Sequence, residues 1–600
     1  MIYALLTLLI TAAFTAALVA FPRWDRAIRW AALAGVLGAL GIALWRQGLP
    51  TDFAAIERAV EWPRALAWLG PTWYREDAVG TGLGNWTLLL GALALVRVGR
   101  GPAGPAQIAT VVAVLANVYA LAHASNLLAF AGHTLVLTLA IWALGGVDPD
   151  SEEGPAVVRQ RAALAAGALS AMGLALLVGR ATGGQYILDD LSLSAVTVWP
   201  LTLAAGFVLF WLGLAPVTGW SAMGHGTRGE STGGMQSAIV QAVALGVPAA
   251  ALVLRLQALI TRDALAGSVP DAWAGFTSAL VILGGATTLV AGAGAVVWAG
   301  TPRWSALGTA FWVGVVVWGL GLDTSTGRMA ALAALLAFGL GRVALEMAAG
   351  GPSWLTRMAS VFSLSGAPVG AGFVGLWLLT GGLVEARRPA LALVVVGAAV
   401  LMAAGMMLHV VTSGASQRHA GGAAEAFAAV FGLVMVGTLL VAGAAPVLWL
   451  GQVQAMASVA GSGPVPAADW TGLFSGGQYV PLLLLGLGAL LIAAVRWLIR
   501  LPARSSAAGT SVLLPTAIDR LQRGREGRLP EPLAGRLLSN PPPAVWWLSL
   551  AWLEGGLYGT GALLARLGER LGGLMRRLEG RYFVPLALVL TLLAVLAVTR

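Results

Sequence analysis

The sequence contains no lysine: each of its 36 Lys+Arg positions, in 600 residues, is arginine. What is missing is the basic side chain whose proton burial can readily loosen; arginine holds its proton far more tightly. Cysteine is also absent. That excludes disulfides, Fe–S clusters and cysteine-type zinc sites within the chain. Charged residues make up only 10% of the sequence, against about 25% in a soluble domain. The net charge of +10 does not point to nucleic acid, because the arginines sit in loops and near the C-terminus, where membrane topology places them. Nucleotide fingerprints are missing too: glycine pairs such as Gly284-Gly285 lie inside apolar runs and read as close helix packing. His225 and Glu230, in a Gly-rich stretch, lack the third spaced ligand of a metal site.

Apolar residues are present in abundance, at 58% of the chain with a mean hydropathy of +0.83. Long apolar runs recur from end to end, and the fold class they imply is all-α integral membrane. The 80 glycines let helix backbones approach closely in lipid. With about 20 apolar residues per span, helices are expected near 1–21, 28–45, 82–98, 106–123, 126–146, 161–179, 194–214, 235–259, 273–299, 305–321, 329–349, 358–383, 389–411, 424–449, 478–500 and 582–598, about sixteen spans. The stretch 1–21 lacks a basic n-region and reads as a retained helix rather than a signal peptide. Residues 46–81, with Trp62, Trp68, Trp73 and Tyr74, form an amphipathic loop suited to the interface. The arginine distribution, with Arg97, Arg100, Arg159, Arg303 and the cluster from Arg504 to Arg528 on one side, predicts both termini on the outer side.

Residues 501–581 are polar and Arg-rich, with a break at Pro541-Pro542-Pro543. Leu563, Leu564, Leu567, Leu571 and Leu574 then recur at helical spacing among charged residues. That is an amphipathic helix, lying on the membrane surface or strapped along a neighbouring subunit, with the last span as its anchor. Proline and glycine interrupt the apolar pattern near Pro216 and near Pro368. A broken helix in lipid frees backbone groups, which is tolerated only where protein or a water-filled cavity satisfies them. One break in each half of the chain points to inverted repeats around a midplane site. The implied division is 1–105 (N-terminal helices and outer loop), 106–260 and 261–450 (two repeats), 451–500 (a further span), 501–581 (linker and lateral helix) and 582–600 (anchor).

Three segments carry a family resemblance: Ala168–Gly183; Ala215-Pro-Val-Thr-Gly-Trp220 with Ser237, Ala238 and Arg255; and Leu364-Ser-Gly-Ala-Pro-Val-Gly-Ala-Gly-Phe-Val-Gly375. They resemble the antiporter-like membrane subunits of respiratory complex I (NADH-quinone oxidoreductase), related to Mrp-type cation/proton antiporters and membrane-bound hydrogenases. The third is similar to that family's Leu-Ser-x-x-Gly-x-Pro-Pro-x-x-Gly-Phe-x-Gly-Lys signature in its broken twelfth helix, with Gly366, Pro368 and Gly372 at the break. The resemblance covers about residues 80–500. It implies about 14 core helices, two of them broken, and a row of proton-exchanging residues through the middle of the fold.

Carried over position by position, that row is replaced. The fifth-helix Glu falls at or near Thr134. The seventh-helix Lys falls on Trp211, five residues before Pro216. The eighth-helix Lys or His falls on Gln241, and the twelfth-helix Lys on Leu376. None of these side chains exchanges a proton at neutral pH. The eleventh-helix His positions hold Ala334 and Phe338, and its Lys position holds Arg342. Codon bias alone would put arginine at all the lysine positions; Trp211, Gln241 and Leu376 point to loss of the relay itself.

Few ionisable groups remain in the apolar runs. Arg342 and Glu346, four residues apart, can pair on one helix face, as a lock between helices or as a remnant of an ion path. His409 and His133 read as hydrogen-bonded structure or as relay groups. Arg255, near an outer helix end, is expected to snorkel. Asp77, at the family's Asp before the third helix, reads as interfacial.

The resemblance therefore implies a membrane-arm subunit with weak or absent proton translocation. It would hold no cofactor itself, with FMN, Fe–S clusters and quinone in partner subunits, and would sit among other membrane subunits in a prokaryotic inner membrane. The alternatives are an active proton or cation translocator of Mrp or hydrogenase type, and the membrane half of an inorganic-carbon uptake pair.

Overall fold

A computed structural model describes residues 2–19, 24–47, 59–60, 72–98, 105–144, 154–188, 191, 197–215, 238–264, 271–297, 303–349, 354–367, 370–412, 434–443 and 446–459. Helices α1 (Ile2–Val19), α2 (Asp25–Gln47), α3 (Ala78–Val98), α4 (Pro105–His123), α5 (Leu127–Leu144), α6 (Gly154–Ala181) and α7 (Val198–Leu212) come first. A π-helical turn, Val240–Leu245, then runs directly into α8 (Gly246–Ala264). There follow α9 (Asp271–Val297), α10 (Arg303–Gly321), α11 (Ser325–Ala349), α12 (Trp354–Leu364), α13 (Ala371–Glu385) and α14 (Pro389–Thr412). Last come α15 (Val434–Gly443) and α16 (Val447–Ser458).

Among the described residues, nine helices are long and apolar enough to cross a membrane, and α1, α7, α10 and α13 are shorter apolar helices. The chain is a multi-pass, helical membrane protein. Each of the first thirteen expected spans coincides with helix, the twelfth as the pair α12 and α13, and of the fourteenth the described residues 434–443 and 447–449 are helical. The two remaining spans and the lateral helix of 501–581 lie outside the described residues.

Several local features differ from expectation. Within the supposed loop 46–81, Ala59–Val60 pairs antiparallel with Thr72–Trp73, and α3 starts early, with Asp77 Oδ1 accepting the Gly80 N–H at 2.5 Å. That carboxylate acts as a helix cap. Beyond the fourteenth span, α16 forms where a loop was expected. Pro446 supplies a preset φ at its start, the Trp449 indole donates to the Ala442 carbonyl (2.8 Å), and Met456 packs against Gly82 of α3.

The core lies around α8 and α11, each with 94% of its span residues buried, whereas α2 has 28% and lies at the edge. With lipid on one side and protein on the other, burial follows helix contacts rather than an alternation of polar and apolar residues. Small residues set these contacts. A Cβ at Gly284 of α9 would lie 2.5 Å from the Trp318 nitrogen and 2.8 Å from the Gly314 carbonyl of α10, so only glycine allows this crossing. Likewise a Cβ at Gly375 of α13 would come within 2.8 Å of Ala334 of α11.

Candidate functional site

The twelfth span is interrupted between α12 and α13. Gly366 takes a left-handed φ of 69°, and Gly370 returns the chain to extended backbone before α13 starts. The backbone groups freed here are accounted for locally. Ser365, Gly366 and Ala367 donate N–H bonds back to Val361, Ser363 and Phe362. The last carbonyl of α12, Leu364, accepts the indole N–H of Trp312 from α10 at 2.8 Å. Ser363 Oγ accepts the Gly372 N–H at 3.3 Å. The Trp312 ring lies so close to Gly372 that a Cβ there would sit 2.7 Å from it. Pro368 lies outside the described residues; the helix has already ended at Leu364, four residues earlier.

The first irregularity is built from two pieces. Helix α7 ends at Gly213, whose left-handed conformation (φ 58°, ψ 46°) closes a C-terminal cap in which the Leu214 N–H donates to Leu209 O (3.0 Å). The Ala215 N–H then donates to Thr287 Oγ1 of α9 at 3.0 Å. Pro216 lies outside the described residues, so the visible stop is made by Gly213. The π-turn Val240–Leu245 at the head of α8 is the second piece. Such turns break the regular i→i−4 ladder and leave carbonyls to be satisfied from outside. Ala244 O accepts the Trp211 indole N–H at 3.2 Å, and Gln241 Oε1 accepts from Thr309 of α10 at 2.7 Å.

Of the positions where the resemblance would place proton-exchanging groups, Thr134, Trp211, Gln241, Ala334, Phe338 and Leu376 are packed with neutral side chains, and Arg342 keeps a charge. Thr134 is fully buried and returns its hydroxyl to Phe130 O of its own helix (2.7 Å). Phe130 meets Phe207 edge-on with centroids 5.5 Å apart, and Phe207 stacks on Trp211 at 5.5 Å. An aromatic row thus runs from α5 to α7. Leu376 covers Gly366, and Ala334 and Phe338 are buried. These side chains and carbonyls can hold backbone geometry and exclude water, but they cannot pass a proton by changing charge.

Among the described residues, the interior charges Arg342 and Arg255 are tied. Arg342 Nη2 lies 2.8 Å from Glu346 Oε1, with side chains 6% and 16% exposed. Arg255 does not snorkel. It turns inward, with Nη2 donating to Ala122 O (2.7 Å) and lying 3.4 Å from Asp77 Oδ2, and with Nη1 donating to Ala124 O. It is held there because the end of α4 presents carbonyls without helical partners, and the dipole at a helix C-terminus attracts a cation. Asp77 is therefore a structural counter-ion joining α3 to α8, rather than an interfacial residue. His133 is bonded on both sides, Nδ1 to Asn117 Oδ1 (3.0 Å) and Nε2 to Tyr74 Oη (2.6 Å). Because the Asn117 amide donates to Ala113 O, its oxygen faces the ring, so Nδ1 carries the hydrogen and Nε2 accepts from Tyr74. Burial pushes the Tyr74 phenol up, which keeps it a donor. His409 lies in α14, and its side chain is outside the described part.

The structure brings Trp211, Gln241 and the π-turn together, pairs Arg342 with Glu346, and sets Leu376 over Gly366. Sequence reading did not reveal the π-turn, Thr309 or Trp312. A tryptophan in an apolar run carries no periodicity signal for the carbonyl that it will meet.

No protein-family model matches the sequence, and no curated protein is similar to it. Solved structures share its fold. A chain of the Mrp complex from Dietzia sp. DQ12-45-1b superposes with a TM-score of 0.65 at 19% identity, over 93% of this chain and 63% of that one. This chain thus spans less than two thirds of that relative. A chain of respiratory complex I from Thermus thermophilus gives 0.57 at 19% identity, over 75% of this chain and 99% of that one. A chain of the membrane-bound sulfane sulfur reductase, an archaeal respiratory membrane complex, gives 0.60 at 15% identity, over 76% and 97%.

Proposed function

We propose that the chain is an antiporter-like subunit in the membrane arm of a complex I-like assembly, with weak or absent proton translocation and a mainly structural role. The observation that carries this reading is the neutral packing at Thr134, Trp211, Gln241 and Leu376, each buried and three of them hydrogen-bonded. A proton path needs groups that change charge in sequence, and these positions have none. The shared fold supports the kind of assembly but not the activity. On this reading, the two irregular segments belong to inverted repeats spanning 106–260 and 261–450, and a lateral helix and a final anchor complete about sixteen spans. Both termini face the outer side of a prokaryotic inner membrane. FMN, Fe–S clusters and quinone belong to partner subunits.

Two measurements test the reading. Purified chain in proteoliposomes is expected to pass protons no faster than protein-free vesicles. In the parent assembly, the paired change Arg342→Met with Glu346→Leu is expected to leave pumping per electron unchanged. Lost pumping with the assembly intact would rule out the non-translocating role.

An Mrp-type assembly is the second reading, favoured by the 93% of this chain over which the Dietzia Mrp chain is alike, against 75% for the complex I chain. Identifying the co-purifying subunits separates the two.

A further inference from the structure

Thr309 and Trp312 stand one turn apart on α10, so their side chains emerge on neighbouring parts of one helix face. Thr309 donates to Gln241 in the π-turn at 2.7 Å. Trp312 donates to Leu364 O, at the end of α12, at 2.8 Å. One short stretch of α10 therefore holds both irregular segments, one from each half of the chain. All four partners are buried: Gln241, Thr309 and Trp312 are at most 1% exposed and Leu364 3%. In such surroundings a polar group that loses its partner pays its full desolvation cost.

We propose that Thr309 and Trp312 form a neutral tie between the π-turn and the α12–α13 break, so that the two segments are held, or released, as one unit. The tie goes beyond the role proposed above, since it concerns how the halves are coupled whether or not an ion moves.

Three observations support coupling rather than two separate anchors. First, the residues share one rigid helical turn, so a shift that breaks one bond moves the other donor. Second, Trp312 is wedged against Gly372 as well as bonded to Leu364, so the α13 side of the break leans on the same ring. Third, Gly246, directly after the π-turn, packs closely on Leu335 of α11, and Gly375 of α13 packs on Ala334 of the same helix. The two segments are thus clamped between α10 and α11, with the hydrogen bonds on the α10 side. Trp318, two turns further along α10, is equally buried, yet its indole N–H has no partner among the described residues. It makes a matched control.

Because the natural chain has no cysteine, single reporters can be placed without background from the chain itself, with label counted on the purified chain. Val243→Cys reports on the π-turn and Ser365→Cys on the break, each read as the rate of labelling by N-ethylmaleimide in membrane vesicles of the full chain. Trp312→Phe removes the N–H and keeps most of the ring; Thr309→Val removes the hydroxyl and keeps the shape. The expected result is crossed. Trp312→Phe speeds labelling of Val243→Cys, and Thr309→Val speeds labelling of Ser365→Cys, each roughly tenfold, the size expected for one buried hydrogen bond. Trp318→Phe changes neither. Acceleration confined to the segment that each side chain touches, or no acceleration, overturns the tie. So does a Trp318→Phe variant that behaves like Trp312→Phe. If Trp312→Phe does not insert, the Thr309→Val arm decides alone.

Discussion

Arg342→Ala is expected to destabilise the protein by about 3 kcal/mol, at the lower end for a buried ion pair that loses one partner. The physical reason is the group left behind. Glu346 lies 2.8 Å from the guanidinium, and its side chain is only 16% exposed, so without Arg342 its carboxylate loses the cation that offsets its burial among the described residues. The remaining exposure of Glu346 places the effect at the low end. Replacing both members, Arg342→Met with Glu346→Leu, is expected to restore most of the loss, because well-packed apolar residues avoid the desolvation cost. The measurement is the fraction folded in a denaturing-detergent titration of the full chain. A double variant no more stable than Arg342→Ala would show that the pair does more than neutralise itself.

Gly372→Ala is expected to cost a similar amount, about 3 kcal/mol, the upper part of the range for overpacking a tight site. The added methyl would strike the Ser363 carbonyl and lie 2.7 Å from the Trp312 ring. Neither neighbour yields easily: one is backbone at the helix break, and the other is held by its bond to Leu364 O. The comparison is Gly397→Ala in α14, where nothing lies within 4 Å of the new atom. There the substitution is expected to be neutral, or to stabilise the helix by up to about 1 kcal/mol through propensity. Both variants can be read in the same titration. A Gly372→Ala protein as stable as the parent would show that the break can open to admit a methyl group.

Both substitutions act on features with very different visibility in sequence. The Arg342–Glu346 pair was legible, because a four-residue spacing on a helix brings two side chains together whatever the rest of the fold does. The break near Gly366 was legible as well, since glycine and proline inside an apolar run interrupt the backbone ladder. What satisfies that break was not. Trp312 lies 52 residues from Leu364 in sequence, and its indole could have faced outward, as Trp30 and Trp199 do at 70% and 71% exposure. Arg255 departs from expectation for the same reason. Its place near a helix end suggested snorkelling, but the fold puts Asp77 and the open end of α4 beside it.

The sequence by itself determined the helical membrane class, the positions of the first thirteen spans and the second break. These are properties of length, polarity and residue type along one segment, and lipid enforces them because every backbone group must find a partner inside its own span. Only the tertiary structure decided how the interior is packed: the row Phe130–Phe207–Trp211 between α5 and α7, the π-turn capped by Trp211, and the turn of α10 that holds both irregular segments. These depend on which helix faces which. In lipid that choice rests on small residues and single hydrogen bonds between distant segments, and neither leaves a periodic trace in the chain.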